Sequence, residues 1–514
     1  MGLLQRTEYV LEESRRHGLR AALPLVSVSY CWLSKKHPDP QGKQLQVLAS
    51  HLAALVQYLT EEHGNRGFQD CGVFVDWCSL YQRPRSPEET KSFVRGLRGA
   101  GLLFGHQLIW KLLLTRPPKS GARITQRAPY EKRGWPFFER AVSSLLTARE
   151  HVLDLGLATN ASNCSGGQAL VDSCVAARRP PQTPPEFDDC MDSKVLMLDG
   201  DRDFLKRNYR KLFNTVMEGV ESLDYSCHGW GHEEMQLLGA SLCSCVFLRT
   251  LLLGNNCVGD RGLGMLVQGL LHLCALEVLD LTSNNIGDLG AQRIAVALPI
   301  LVRLRVLVLH SNHVAAVGAS GLAEALPQCP SLSELKLGEN RLGDPGAVCL
   351  AQVLSLCNLR CLDLCGNCIG DDGVIELAKA LPKCRSLEQL LLGTNRIADA
   401  GAEALADAVP QCKRLERLVL ASNDVGDRGA ALLAKALPAC SMLTVLSLSG
   451  NRLSDNAAEC FAEAMPSTPR LKLLHIDGNL LSPVSRDMLH SARRNSGKPR
   501  RCMVDGETFE SLLV

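Results

Sequence analysis

The sequence has no dominant charge. Its 56 Lys and Arg stand against 54 Asp and Glu, so no single-sign field is available to grip a phosphate backbone or an anionic bilayer, and neither nucleic acid nor membrane is expected as a partner. It has no apolar run of the length needed to span a bilayer. Met1 to Arg20 carry charges throughout and hold no apolar stretch, so no secretory signal is expected, and Arg6 spoils the N-myristoylation pattern that Gly2 would suggest. A GxxxxGK[ST] phosphate loop is missing as well. These absences point to a cytoplasmic protein. What remains is a chain of 514 residues, 46% of them hydrophobic, enough to build two or more cores.

Cysteine, by contrast, is plentiful, with 22 residues. Cys329, Cys384, Cys412 and Cys440 each stand three residues before the first Leu of a strand-like pattern, and Cys274 and Cys357 stand two before. Cysteines that recur at a fixed position are small apolar fillers of a helix-to-strand turn, and successive ones are too far apart to bridge, since a disulfide needs Cα atoms within ~7 Å. They are expected to be free thiols of a reducing compartment. Cys361, Cys365 and Cys368 include a CxxC, yet Cys361 and Cys365 fall on expected exposed strand positions and Cys368 on a turn, with no fourth ligand suggested nearby; no metal is expected.

The stretch from Leu415 to Val425 contains a pattern that returns along the chain. An asparagine recurs at 256, 284, 312, 340, 367, 395, 423, 451 and 479, always 28 residues apart except for one step of 27. Before each lies LxxLxL, whose alternation buries one face of a short strand. The Asn, both donor and acceptor, satisfies the backbone where the strand turns inside the core. Gly-Asp-x-Gly follows at Gly259-Asp260, Gly287-Asp288, Gly343-Asp344, Gly370-Asp371 and Gly426-Asp427, the Gly bending the chain and the Asp expected to cap its own helix. An Ala/Leu-rich helix comes next, and a proline stops it, as at Pro327, Pro382 and Pro410.

A strand on one side and a wider helix on the other, repeated in parallel, must curve into a solenoid with the strands on the concave wall. The pattern resembles the leucine-rich repeats, in particular the long ribonuclease-inhibitor type shared with NOD-like receptors and Ran GTPase-activating proteins. It implies an α/β horseshoe of about ten 28-residue repeats over 219–482, with His228 in a degenerate first unit and residues 483–514 as a C-terminal cap, whose basic run Arg493 to Arg501 is read as solvated. The acidic tail usual in the Ran activators is missing. So is the nucleotide-binding loop of a complete NOD-like receptor.

Ahead of the repeats, strand and helix patterns alternate after a charged helix over 1–20. Strands are expected at Leu25–Trp32, Gly72–Trp77, Leu108–Leu114, Glu150–Leu155 and Val195–Leu198, with a helix marked by Leu45, Leu48, Leu52, Leu55 and Leu59. This predicts a parallel-sheet α/β domain over 21–218, interrupted by a flexible loop at 156–192 rich in Ser, Gly and Pro. The motifs Val28-Ser-Tyr30-x-Trp32, Val73-Phe-Val-Asp76 and Trp135-x-x-x-Glu139 resemble those of TIR and heterokaryon-incompatibility domains, which implies a flavodoxin-like sheet. Pro136 stands where TIR domains usually carry Cys, and Lys119–Arg127 is an insertion foreign to them.

Two functions follow. As an interaction protein, the chain binds a protein or peptide on the concave positions Leu252, Asp280, Val308, Lys336, Asp363, Leu391, Val419, Ser447 and His475, a stripe of mixed character, while the first domain signals by self-association as the TIR resemblance implies. As an enzyme, the resemblance implies cleavage of NAD, a substrate and not a bound cofactor, with Glu139 the catalytic carboxylate and Tyr30, Trp32, Asp76 and Trp135 around the ligand. GTPase activation, as in the Ran activators, is a third reading that rests on the repeats alone.

Overall fold

The computed structural model describes residues 24–495 apart from 31, 33–38, 40, 63–70, 76–79, 81–83, 107, 117–127, 159–166, 199 and 469. The expected helix over 1–20 and the candidate Asp76 lie outside the described residues. The chain divides into two compact units, residues 1–220 with 240–245, and residues 221–239 with 246–514.

In the first unit, β1 (Leu25–Tyr30), β2 (Gly72–Phe74), β3 (Trp110–Leu114) and β4 (Val152–Asp154) form a parallel sheet in the order β2-β1-β3-β4. Val26 of β1 pairs with Val73 on one side and Trp110 on the other. All of β3 is buried, the mark of a strand covered on both faces. The covering helices are α1 (Lys43–Glu62), α2 (Pro87–Gly105), α3 (Gly134–Leu146), α4 (Gly167–Cys174), α5 (Pro184–Asp192) and α6 (Gly200–Gly219). Leu48, Leu55 and Leu59 of α1 enter the core with Val26, Val28 and Leu112, and Leu52 packs against it. Leu45 does not: it is exposed.

Two expectations fail here. The stretch at 156–192 is not a continuous loop, since it contains α4 and α5. Its Pro184-Pro185 pair starts a helix, allowed in a first turn where N–H groups are unpaired anyway, and Thr183 with Glu186 closes a capping box around it. Nor is Val195–Leu198 a strand. Only Val195 pairs, taking Lys132 O and giving its carbonyl to Gly134 N, and Val195 and Leu198 are exposed. The helix that follows, α6, packs in the first unit on α3 and α5 through rings, with Phe187 stacked on Tyr209 at 3.8 Å.

The second unit alternates short strands and helices. These are β5 (Ser222–Asp224), α7 (His232–Leu242), β6 (Thr250–Leu252), α8 (Gly259–Leu270), β7 (Val278–Asp280), α9 (Asp288–Ala297), β8 (Val306–Val308) and α10 (Ala316–Ala325). There follow β9 (Glu334–Lys336), α11 (Gly343–Leu354), β10 (Cys361–Asp363), α12 (Asp371–Ala380), β11 (Gln389–Leu391) and α13 (Asp399–Ala408). The last are β12 (Arg417–Val419), α14 (Asp427–Ala436), β13 (Val445–Ser447), α15 (Asp455–Ala464), β14 (Leu473–His475) and α16 (Pro483–Asn495). The strands make one ten-stranded parallel sheet in sequence order. Middle leucines such as Leu335, Leu362 and Leu390 are fully buried.

Two polar columns hold the units in register. Each Asn side chain bonds backbone of its own and of neighbouring units: Asn312 donates to Leu281 O and Leu309 O (2.9 and 3.0 Å) and accepts from the N–H groups of Asn284 and Ile286 (2.9 and 3.0 Å). The amides therefore do not stack on one another; backbone stands between them. The Asp column differs from the expectation. Each Asp is inside its own helix, and its carboxylate caps the next one: Asp371 Oδ1 accepts from Ala398 N and Gly401 N, both at 2.8 Å. Asp260, Asp288, Asp344 and Asp399 do the same one repeat ahead.

This explains the second Gly of the motif. A Cβ on Gly401 would stand 2.7 Å from Asp371 Oδ1, so glycine makes room for the preceding unit's carboxylate. Where Ala457 takes its place, Asp427 bonds the N–H and hydroxyl of Ser454 instead. The column also sets how helices begin. Behind an Asp, the residue before the helix is extended, as at Gly370 (φ −100°, ψ −163°). Where the preceding unit has no Asp but His232 or Ala316, the helices α8 and α11 begin on Gly259 and Gly343 with φ of 59° and 57°, left-handed values that glycine tolerates.

Candidate functional site

The strand wall of the second unit is the first candidate. Because strands lie ~4.8 Å apart and packed helices ~8–10 Å apart, the strand side is concave. Its middle positions are not equivalent. Leu252, Asp280, Val308 and Lys336 on β6 to β9 are half-buried, and Lys336 reaches Glu334 only at 3.9 Å. Asp363, Leu391, Val419, Ser447 and His475 on β10 to β14 are buried, none more than 7% exposed. The sequence expectation that the whole stripe is open therefore holds for its first half only. Alternation along a strand says which face a side chain takes; what lies over that face is a separate matter.

Cys361 and Cys365, expected as exposed strand positions, are buried too, in an apolar cluster with Leu391, Val419 and Ala421. Burial pushes the Cys361 thiol up to about 11 and that of Cys365 higher still, with Asp363 adding to both. Cys368 is exposed on the turn, at φ 56°. Among the described residues no group of His, Cys, Asp and Glu is arranged to hold a metal. Cys329, Cys357, Cys384, Cys412 and Cys440 are free and sit in the turns, each donating to the carbonyl four residues back, as Cys384 does to Ala380 at 3.3 Å, while Cys274 is exposed. Burial raises Cys329, Cys384 and Cys440 to about 11 and, with neighbouring thiols, Cys412 to about 12. They pack; they are poor nucleophiles.

The second candidate is the crevice at the carboxyl ends of β1 and β3, where the strand order reverses and ligands of doubly wound sheets bind. Tyr30 ends β1, half-buried against the core. Beyond it, Trp32 O accepts from Arg133 Nη1 at 2.7 Å, which ties the start of α3 to this edge. Tyr130 OH meets Ser29 Oγ at 2.6 Å below. Trp135 is turned elsewhere: its indole N–H donates to Asp201 at 3.0 Å, and its ring meets Phe204 of α6. Glu139 is half-buried in the second turn of α3, about 9 Å along the axis from Arg133 at ~1.5 Å per residue.

Two features escaped the sequence reading. Lys111, the second residue of β3, is fully buried, and its Nζ donates to the carbonyls of His106 and Ile109, the latter at 2.5 Å. Burial, with Arg178 adding repulsion, brings it down to about 7. The only sign was one Lys inside an apolar strand. A groove of about 620 Å³ also runs between α9 and α10, past Gln292, Val296, Val317, Ser320 and Glu324. Val296 is 70% exposed where later repeats place Lys379, Asp407, Lys435 and Glu463, so a broken column of charge was its legible trace.

A family model for the leucine rich repeat matches residues 244–267, 272–295, 328–351, 355–378, 383–406, 411–434 and 439–462. The gap between 295 and 328 contains Ala315-Ala316, where the Gly-Asp pair is lost. No curated protein matches the chain. Among solved structures, the chain is similar to a leucine-rich-repeat protein of Leptospira interrogans, at 19% identity over 58% of this chain and 74% of that one, TM-score 0.35. An internalin of Listeria monocytogenes is 18% identical over 57% of this chain and 89% of that one, TM-score 0.33. Among the described residues, no helix is long and apolar enough to cross a membrane.

Proposed function

We propose that this chain, whose second unit is an array of leucine-rich repeats, is an intracellular protein-interaction scaffold that takes a protein or peptide on the first half of its strand wall. The observation that carries this is the run Leu252, Asp280, Val308 and Lys336, four half-exposed positions on adjacent parallel strands, apolar and charged in alternation. Such a surface offers apolar contact for affinity and an acid and a base to fix register, which suits a polypeptide. The first unit serves as the signalling part, by self-association. A photo-crosslinking residue placed at Val308 should capture a defined partner in cells, and the same residue at Arg428, on the exposed helix side, should not. Capture of the same proteins from both positions would remove the wall from the account. Sedimentation of the full chain over a concentration series reads self-association separately.

One feature favours a second reading. The parallel order β2-β1-β3-β4, with Tyr30 and Trp32 at the edge of the reversal, is where a nucleotide would lie, and Trp135 is committed to α6, so ring stacking there would fall to Trp32. Under this reading Glu139 stabilises the cationic sugar formed as nicotinamide leaves NAD. Concentrated wild-type protein should then release nicotinamide and Glu139→Gln should not; no release by either leaves the scaffold alone.

A further inference from the structure

The helix α9 is apolar on two sides. Ala291 and Ile294 point into the array and are buried, as the repeat requires. Its outer side should be polar, and from α8 to α15 the other repeats put Gln, Glu, Lys or Asp where α9 has Val296. Val296 is 70% exposed, and Leu289 (61%) and Ile300 (45%) stand with it. Steps of seven and then four residues line these three up as one ridge along the helix. A helix apolar all round is ordinarily buried all round. Beside the ridge lies the groove between α9 and α10, and it has the same character. Ala295 and Ala325, both buried, line it, Val317 stands 58% exposed on its far wall, and Gly321 adds no side chain to fill it.

We infer that a second copy of this chain docks on this face, its α9 seated in the groove while the first copy's α9 fills the same groove of the second. A two-fold interface requires a surface that complements itself. Ridge and groove, side by side on one face, meet that condition. With neighbouring helices ~8–10 Å apart, a two-fold axis set a quarter of that spacing from α9 toward α10 makes the two α9 helices antiparallel and lays each between two helices of the other copy. The helix side of the array is convex, so two arrays set back to back touch over few helices, and the ridge and groove are confined to two adjacent repeats. Charge agrees with this arrangement. Among the described residues that line the groove, Glu324 alone is ionised, and no described base pairs with it. Arg293 leans from α9 toward α8, its Nη1 on Asp260 O at 3.1 Å. In the antiparallel pair the second copy's α8 side lies over α10, which brings the partner's Arg293 toward Glu324.

Sedimentation velocity of the full chain over a concentration series should show a dimer. The double variant Leu289→Asp, Val296→Lys puts at each position a residue that α12 already carries there, Asp372 and Lys379, so the array should keep its fold, which an unchanged thermal melt checks. Dimerisation should weaken on the order of a hundredfold or more, because the two-fold buries each new charge twice against apolar side chains. A photo-crosslinking residue at Ser320, on the groove wall, should give a product of dimer size in wild type, with α9 of the second copy as the linked peptide, and none in the double variant. A wild type that stays monomeric, a double variant that dimerises as well as wild type, or a link from Ser320 to a different protein would each overturn the inference. Dimerisation that survives in the double variant belongs to the first unit, and Val308 crosslinking reads the strand side, so the scaffold reading and this one can fail separately.

Discussion

Removing the carboxylate of Asp371 separates a cap within a helix from a cap between repeats. In the structure its Oδ1 takes the N–H groups of Ala398 and Gly401 at the start of α13, while Asp372, its exposed neighbour in the same first turn, caps nothing. Asp371→Ala leaves two donors of the following repeat without an acceptor, and Ala398 has no side chain to take them. Losing such a cap costs about 0.5–2 kcal/mol, and losing a negative charge at a helix N-terminus a further ~0.3–1 kcal/mol, so a total on the order of 1–3 kcal/mol is expected. Asp371→Asn keeps an oxygen in place and should lose only about the smaller part. Asp372→Ala should stay within ~0.5 kcal/mol. Urea unfolding followed by circular dichroism gives the midpoints, with the slopes unchanged. Equal losses in Asp371→Ala and Asp372→Ala would show that the bond between repeats contributes nothing and that the column only decorates helix starts.

Asn367→Ala removes the acceptor of Leu342 N and the donor to Leu337 O and Cys365 O, all buried, and should cost on the order of 1–3 kcal/mol; Lys336→Ala, half-exposed with one long ion pair, should be nearly silent, and equal losses in thermal melts would mean that the strand register is misassigned. Alkylation of denatured, unreduced protein should label Cys329, Cys384, Cys412 and Cys440, and a bridge between any two would refute the free-thiol reading. Lys111 is brought down from 10.5 to about 7 by folding, so the unfolded chain holds a proton that the folded one releases between those values. Stability should therefore rise with pH from about 7 to 10.5 in wild type relative to Lys111→Met, and parallel stability–pH curves for the two would show that the lysine is not desolvated.

How much of this could be read beforehand depends on whether the constraint is local. The Asn column was legible because a turning backbone inside a core needs the same amide in every unit, and the sequence repeats it. The residue types of the Asp column were equally plain, but not their partners: a carboxylate at the first turn of a helix ordinarily serves that helix, and only the packing of α12 against α13 brings Gly401 to Asp371. Thr183-Pro-Pro-Glu186 looked like loop because its prolines outweighed the capping pair around them. For the strand wall, period-2 alternation placed Lys336 and Asp363 on one face correctly, and it carries no information about cover, so half-exposed and buried positions read alike. In the crevice, Tyr30 and Trp32 were legible from the strand they end, whereas the turn of Trp135 toward Asp201 rests on a contact 66 residues away.

The Asp column gives the array a direction. Each carboxylate reaches forward, from one helix to the start of the next, and none reaches back. Loss of one carboxylate therefore uncaps the helix of the C-terminal neighbour, whereas loss of one Asn leaves backbone of the N-terminal neighbour unpaired. Repeat arrays are often treated as chains of like units joined by symmetric interfaces; here one polar column reaches forward and the other, the Asn column, reaches back. Ala316 interrupts the forward one. The helix behind it, α11, starts on a left-handed Gly343 and takes no carboxylate cap from the unit before, while its Asn340 still bonds Leu309 O and Val314 N of that unit.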